Sequence, residues 1–135
     1  MATIITRTGK GSALTFAEGD ANFTNLNNDK LESSGGTLTG YAETIHSLGT
    51  TDTPAIDVAN GNVQSVTISS GLTLPVFSNA SAGQSVTLLV SGSGTATGAA
   101  GYLFAGGNTD LTTNSVISIL YDGTNYWASI ATDFQ

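Results

Sequence analysis

The sequence predicts a mainly β protein: a β-sandwich (jelly-roll-like) knob that follows an extended N-terminal arm and one short α-helix. Three observations carry this prediction. Charged residues make up only 10% of the 135 residues, whereas exposed helices are usually rich in Glu, Lys and Arg. Ser, Thr, Asn and Gly replace them, which is typical of strands and turns. About seven short apolar-alternating segments, separated by turn residues, then follow residue 55, which is the pattern of a sandwich.

Residues 1–14 are predicted to form the extended arm. Ile4 and Ile5 belong to a short β-prone segment, and glycines at positions 9 and 11 loosen the backbone after it. Such an arm adds contact area to a neighbouring subunit without a folded core of its own.

Residues 15–32 are predicted to contain the helix. Thr15 and Glu18 have the spacing of a capping box, in which each side chain accepts a hydrogen bond from the other residue's backbone N–H. The exposed positions that follow are rich in Asn, which is a poor helix former. A helix of this length and composition is marginal alone, so it needs a packing partner.

The apolar residues of this helix have the spacing of a short coiled-coil seam. Phe16, Gly19, Phe23 and Leu26 are separated by three, four and three residues. Two interpretations are open: the helix packs on its own domain, or three identical helices form a bundle.

The remaining chain is divided into a linker with the first strands at 33–54 and the β-sandwich domain at 55–135. Asp122-Gly123-Thr124 lies between two strand patterns and is the strongest hairpin signal in the sequence. Asn60-Gly61-Asn62 predicts a second hairpin turn, between strands at 55–58 and 63–69.

Two further segments of the β-domain have a predicted place. Pro75 lacks a backbone donor, so its strand is expected at a sheet edge or at a bulge. The small residues of 91–101 predict an exposed loop, with a close-packed turn as the alternative. The aromatic residues near the C-terminus either cap the core or contact a sugar or a partner protein; they are Tyr121, Tyr126, Trp127 and Phe134.

The charge pattern argues against nucleic acid and membrane partners. The net charge is −7, and the three basic residues, Arg7, Lys10 and Lys30, all lie in the first quarter of the chain. Phosphate groups are bound by Lys and Arg, so an acidic domain without them repels DNA and anionic lipid. No apolar stretch approaches the length of a membrane span or of a signal-peptide core.

Catalytic and metal-binding motifs are not apparent in the sequence. There is no cysteine, and His46 is the single histidine. The nucleophile elbow G-x-S-x-G and the phosphate loop G-x-x-x-x-G-K-[ST] are both missing. Asp122-Gly123-Thr124-Asn125 lacks the ligand run of a calcium loop. We therefore expect no enzymatic activity, no cofactor and no metal site.

Several predicted strands carry apolar residues on both faces. Leu89, Ile117 and Leu120 stand beside other apolar residues of their strands. A monomeric sandwich exposes one face of each sheet to water and is polar there. The surplus predicts a second buried surface, for which self-association is the simplest source.

The N-terminal sequence resembles that of tailed-bacteriophage virion structural proteins, tail fibres among them. Residues 4–12 lead into Leu14-Thr15-Phe16-Ala17-Glu18-Gly19-Asp20-Ala21-Asn22-Phe23-Thr24-Asn25-Leu26-Asn27. This run is similar to the G-x-x-L-T-x-x-E-x-D-x-N-F-x-N-L run of those proteins. The β-rich segments at 55–68, 86–90 and 118–127 also resemble C-terminal modules of phage tail proteins.

The resemblance implies a homotrimeric virion protein without an enzymatic site. Since no shaft separates the helix from the β-domain, the favoured hypothesis is a capsid decoration (cement) protein that binds the major capsid protein on the outer capsid surface. The alternative is a short tail fibre or tailspike-tip adhesin bound to a tail or baseplate protein. A third is a module that binds a host surface glycan. The candidate assembly contacts are Ile4, Ile5, Arg7, Phe16, Phe23 and Leu26.

Overall fold

The computed structural model of the chain describes residues 4–29 and 40–135, and for 27–29 the backbone alone. The chain divides into two compact units, Met1–Tyr41 and Ala42–Gln135. The predicted end of the helix at residue 32 and the predicted start of the linker at residue 33 lie outside the described residues.

The N-terminal unit contains two helices, α1 (Arg7–Lys10) and α2 (Phe16–Asp29). The capping box at the start of α2 is confirmed: the Thr15 N–H donates to Glu18 Oε2 at 2.8 Å, and the Glu18 N–H donates to Thr15 Oγ1 at 3.2 Å. The prediction of a wholly extended arm was wrong at α1. The Thr6 side chain accepts from the Gly9 N–H at the start of α1, and this local cap supports a single helical turn.

The second unit contains nine strands in two sheets. The mainly β class with a short helix is confirmed. The strands are β1 (His46–Thr50), β2 (Val63–Thr67), β3 (Leu72–Leu74), β4 (Ser85–Ser91), β5 (Gly94–Gly98), β6 (Tyr102–Phe104), β7 (Asp110–Leu111), β8 (Asn114–Tyr121) and β9 (Tyr126–Ala131). One sheet has the order β1-β2-β4-β8-β9-β6, and the other has the order β3-β5-β7. The unit begins at Ala42, and β1 lies within the segment 33–54, for which the linker and first strands were predicted.

The chain winds around one core from sheet to sheet. It passes from β2 in the large sheet to β3 in the small sheet and returns to β4, which lies parallel to β2. β5 then lies parallel to β3. Each return enters the sheet in the same direction, because the intervening segment has crossed the other sheet. Among the described strands four of the seven pairings are therefore parallel, whereas a jelly roll pairs its strands antiparallel.

The core lies between the two sheets and is built from alternating strand positions. Leu88, Ile117 and Ile119 of the large sheet are at most 1% exposed. Leu72 and Leu74 of the small sheet are at most 2% exposed. Because successive side chains of a strand point to opposite faces, each of these strands has a second set of residues facing away from the core.

The two predicted hairpins have different outcomes. β8 and β9 form an antiparallel hairpin around the Asp122-Gly123-Thr124 turn, as predicted. The prediction of a hairpin at Asn60-Gly61-Asn62 was wrong. Residues 58–60 form a 3₁₀ turn, and Asp57 pairs in parallel with Ser78. The backbone there continues around the core instead of folding back on itself.

The small-residue segment 91–101 contains a strand that is closely packed on one side, which corrects the preferred prediction of a loop. It contains β5, and Ala96 is 1% exposed. A Cβ added at Gly98 would lie 2.3 Å from Tyr102 Cβ. Pro75 follows β3, which is an edge strand as predicted.

Candidate assembly surfaces

The arm (residues 4–14) folds back along α2 and is held there by polar side chains; we call this arrangement the clip. Asn22 of α2 accepts from the Ile5 N–H and donates to the Ile5 carbonyl, both at 2.9 Å. Lys10 forms an ion pair with Glu18, which lies one turn before Asn22 on α2. These two contacts hold the arm back along the helix, so the side chains of Lys10, Glu18 and Asn22 are paired within the unit.

Glu18 is the central hydrogen-bond acceptor of this clip. Its carboxylate accepts hydrogen bonds from Lys10, from the Thr15 N–H and from the Thr15 hydroxyl. The Lys10 ammonium and then the Thr15 backbone lower the pKa of Glu18 to about 2. The carboxylate is therefore ionised at neutral pH and complements the N-terminal end of the helix dipole.

The apolar side chains of α2 are left exposed. Phe16 is 96% exposed, Phe23 75% and Leu26 56%. Gly19 lies between them in the seam, and no atom approaches within 4 Å of where its Cβ would be. We call Phe16, Gly19, Phe23 and Leu26 the apolar stripe. Three large apolar side chains on one helix face are typical of a surface that is covered in an assembly.

The remaining predicted contacts lie on the arm. Ile4 and Ile5 are 41% and 37% exposed. Arg7 is exposed in α1. The structure thus places the six candidate contacts in one compact unit, Ile4, Ile5 and Arg7 on the arm and the others on α2.

The β-unit has a second surface, on the side of the large sheet that faces away from the core. Strand register aligns its outward residues in four rows. We call these seventeen residues the outer face. The rows are Leu103-Trp127-Leu120-Ser85, then Ser129-Ser118-Thr87-Val63, then Ala131-Val116-Leu89-Ser65-Ser47, then Asn114-Ser91-Thr67-Thr50.

No residue of the outer face carries a charge. The first and third rows are mainly apolar, and the second and fourth are mainly hydroxyl-bearing. The predicted positions Leu89 and Leu120 lie here, as the idea of a second buried surface requires. Ile117 does not, since it is fully buried in the core.

The carboxylates of the β-unit all lie off the outer face. Several are held by local hydrogen bonds: Asp52 accepts from the Ser69 N–H at 2.7 Å, and Asp57 accepts from Asn79 at 2.8 Å. These bonds lower the pKa of both groups. The full set is Glu43, Asp52, Asp57, Asp110, Asp122 and Asp133.

Trp127 is fixed in orientation at one corner of the outer face. Its indole N–H donates to Asp122 Oδ2 at 2.7 Å. The backbone N–H of Asn125, then the Trp127 indole and then the Thr124 N–H lower the pKa of Asp122 to about 2. Trp127 is 52% exposed and borders a shallow apolar depression of about 250 Å³ with Leu103.

The four C-terminal aromatic residues have divided roles. Tyr126 is 5% exposed, stacks on Tyr121 and accepts from the Phe77 N–H at 3.1 Å. It belongs to the core, whereas Trp127 and Phe134 are half exposed. This division between core and surface could be predicted from the sequence of β9, because Tyr126 and Trp127 are neighbours in a strand and must point to opposite faces.

The described residues offer no cluster of three or more His, Cys, Asp or Glu side chains arranged to hold a metal ion. In the part of the chain that the structure describes, no helix is long and apolar enough to cross a membrane. Comparison of the chain with protein-family models, with curated proteins and with solved structures finds no match in any of the three.

Proposed function

We propose that the chain is a structural protein of a bacteriophage particle, a trimeric decoration protein that attaches through its N-terminal unit to the major capsid protein. The resemblance of residues 4–27 to virion proteins supports the setting. The proposal assigns the chain no catalytic role; it acts by adding contacts across neighbouring capsid subunits.

One observation carries the proposal. Three polar side chains of the N-terminal run, those of Lys10, Glu18 and Asn22, hold the arm against α2. The apolar residues of the same run, Phe16 and Phe23, are left in solvent. Exposing them costs solubility, and a surface partner that covers them removes that cost. The run is thus suited to dock on another protein of the particle.

The charges agree with an outward position for the β-unit. This unit has six carboxylates and no Lys or Arg. Such a unit is repelled by packaged nucleic acid and is well solvated in the medium outside a particle.

Particle binding tests the proposal. Full chain, a chain without residues 1–14, and Phe23→Asp are each added to particles produced without the chain, and co-sedimented protein is measured. We expect both changes to weaken binding at least about tenfold, because a buried aromatic anchor dominates the affinity of an interface.

The matched control is Phe134→Asp, which makes the same substitution at an exposed Phe of the β-unit. It is expected to bind like the unmodified chain. Normal binding by both N-terminal variants would refute attachment through this unit. Binding to purified tails and not to capsids would replace the decoration role by that of a tail fibre or adhesin.

A further inference from the structure

We propose that the outer face of the large sheet packs against the outer faces of other copies of this chain, with Leu89 and Trp127 buried in the contact. The proposal goes beyond docking through the N-terminal unit. It rests on the proposed function only in taking the chain to act as an oligomer, and it assigns that role to a defined surface.

The composition of the outer face fits the centre of a subunit interface. Leu103, Leu120 and Trp127 are 44%, 45% and 52% exposed and lie side by side in the first row. Leu89 and Val116 are cross-strand neighbours in the third row. Interface centres are depleted in charged residues, whereas a solvated sheet face carries polar and charged side chains. The outer face matches an interface centre in having no charge and in placing Trp127 beside two leucines.

The size of the outer face is also sufficient. Adjacent strands lie about 4.8 Å apart and outward residues about 6.7 Å apart along a strand, so seventeen residues cover roughly 550 Å² in projection. Side-chain relief makes the accessible area larger than the projected area. The result is comparable to the roughly 800 Å² that each partner contributes to a standard interface.

The charge distribution favours a second copy of this chain as the partner that covers the outer face. Each β-unit carries six carboxylates and no Lys or Arg, so two copies repel each other wherever these carboxylates meet. The outer face itself carries none of them, and Asp122 borders it only at the Trp127 corner, so like-charged copies can approach over the rest of the face without burying a charge. A basic partner would instead be drawn to the carboxylates at the strand ends and turns.

The hydroxyl rows make the contact polar as well as apolar. Thr87 and Ser118 are cross-strand partners in the second row, between the two apolar rows. Hydroxyl groups can donate and accept, so facing rows from two copies can satisfy each other. A lysine in this row has no carboxylate on the outer face to pair with, and its burial is costly.

A charged substitution in the second row tests the proposal. Thr87→Lys is compared with Thr95→Lys, which makes the same change at an exposed strand position of the small sheet. We expect the unmodified chain and Thr95→Lys to sediment at the same multiple of 13.6 kDa. Thr87→Lys is expected to dissociate at a concentration at least tenfold higher. Circular dichroism and thermal unfolding confirm that both variants are folded.

Trp127 gives a second readout that does not depend on a substitution. It is the single tryptophan of the chain, so the emission spectrum reports on the outer face alone. Diluting the unmodified chain until it dissociates is expected to shift the emission to longer wavelength, because the indole gains contact with water.

Three results would overturn the proposal. One is an unmodified chain that is monomeric at all accessible concentrations. Another is a Thr87→Lys variant that keeps the unmodified mass and dissociation constant. The third is a monomeric chain whose Trp127 emission shifts when maltohexaose, a glucose oligosaccharide used as a sugar probe, is added. That result would make the depression beside Trp127 a sugar site. A monomer that still binds particles refutes this inference and the trimeric state but leaves attachment through the N-terminal unit standing. An oligomer that does not bind particles refutes the attachment and leaves this inference standing.

Discussion

Asp122 shows how one side chain can organise a turn and a surface together. Its carboxylate accepts from the Thr124 and Asn125 N–H groups at 2.8 and 2.7 Å and from the Trp127 indole. The Asp-Gly turn was predicted from the sequence because its chemistry is local. The bond to Trp127 was not, since it depends on where β9 begins after the turn.

Replacing Asp122 by Asn tests this arrangement. The amide retains one acceptor for the turn but presents a donor to the indole N–H, so the variant is expected to unfold at a lower temperature at pH 7. The pKa of Asp122 is about 2 in the folded chain, below the unfolded value of about 3.9. Its stabilisation is present above the unfolded pKa and is lost as the pH falls through the folded one.

The difference in unfolding temperature between the two chains should therefore shrink from pH 5 towards pH 2. Asp110→Asn, at a carboxylate away from the indole, is the control. Equal unfolding temperatures for the unmodified chain and Asp122→Asn at pH 7 would contradict the role given to this carboxylate.

At the scale of the elements, sequence reasoning succeeded where a signal is short-range. The Thr15–Glu18 capping box and the start of α2 were both predictable from four adjacent residues. β5 was missed because its small residues are imposed by neighbours distant in sequence: a Cβ on Gly94 would lie 2.6 Å from the Ser70 carbonyl oxygen. Parallel pairing of β2 with β4 was hidden for the same reason, since it joins segments on either side of β3.

Thr15→Ala tests how far the cap supports α2. Loss of the Thr15 hydroxyl leaves the Glu18 N–H without its side-chain acceptor, and an N-cap is worth about 0.5–2 kcal/mol. We expect amide hydrogen exchange across α2 to become about 2- to 30-fold faster in the full chain. Ser12→Ala, at an exposed position before the helix, should leave the exchange unchanged. Unchanged exchange in Thr15→Ala would show that something other than the cap holds the helix.

At the scale of the whole molecule, two surfaces suit two kinds of contact. The apolar stripe and arm form a small docking surface on a polar clip, and the outer face forms a broad uncharged sheet surface. The sequence indicated both in part, through Phe16 and Phe23 for the first and Leu89 and Leu120 for the second. The four rows could not be predicted, because they depend on the register of strands that are not adjacent in sequence.

A structural role on a virion requires the chain to be part of the finished particle. Quantitative mass spectrometry of purified particles measures the number of copies of the chain relative to the major capsid protein. The proposed decoration role predicts a copy number of the same order as that of the capsid protein. A few copies per particle would indicate that the chain belongs to the tail. Its absence from purified particles would contradict a structural role in the virion.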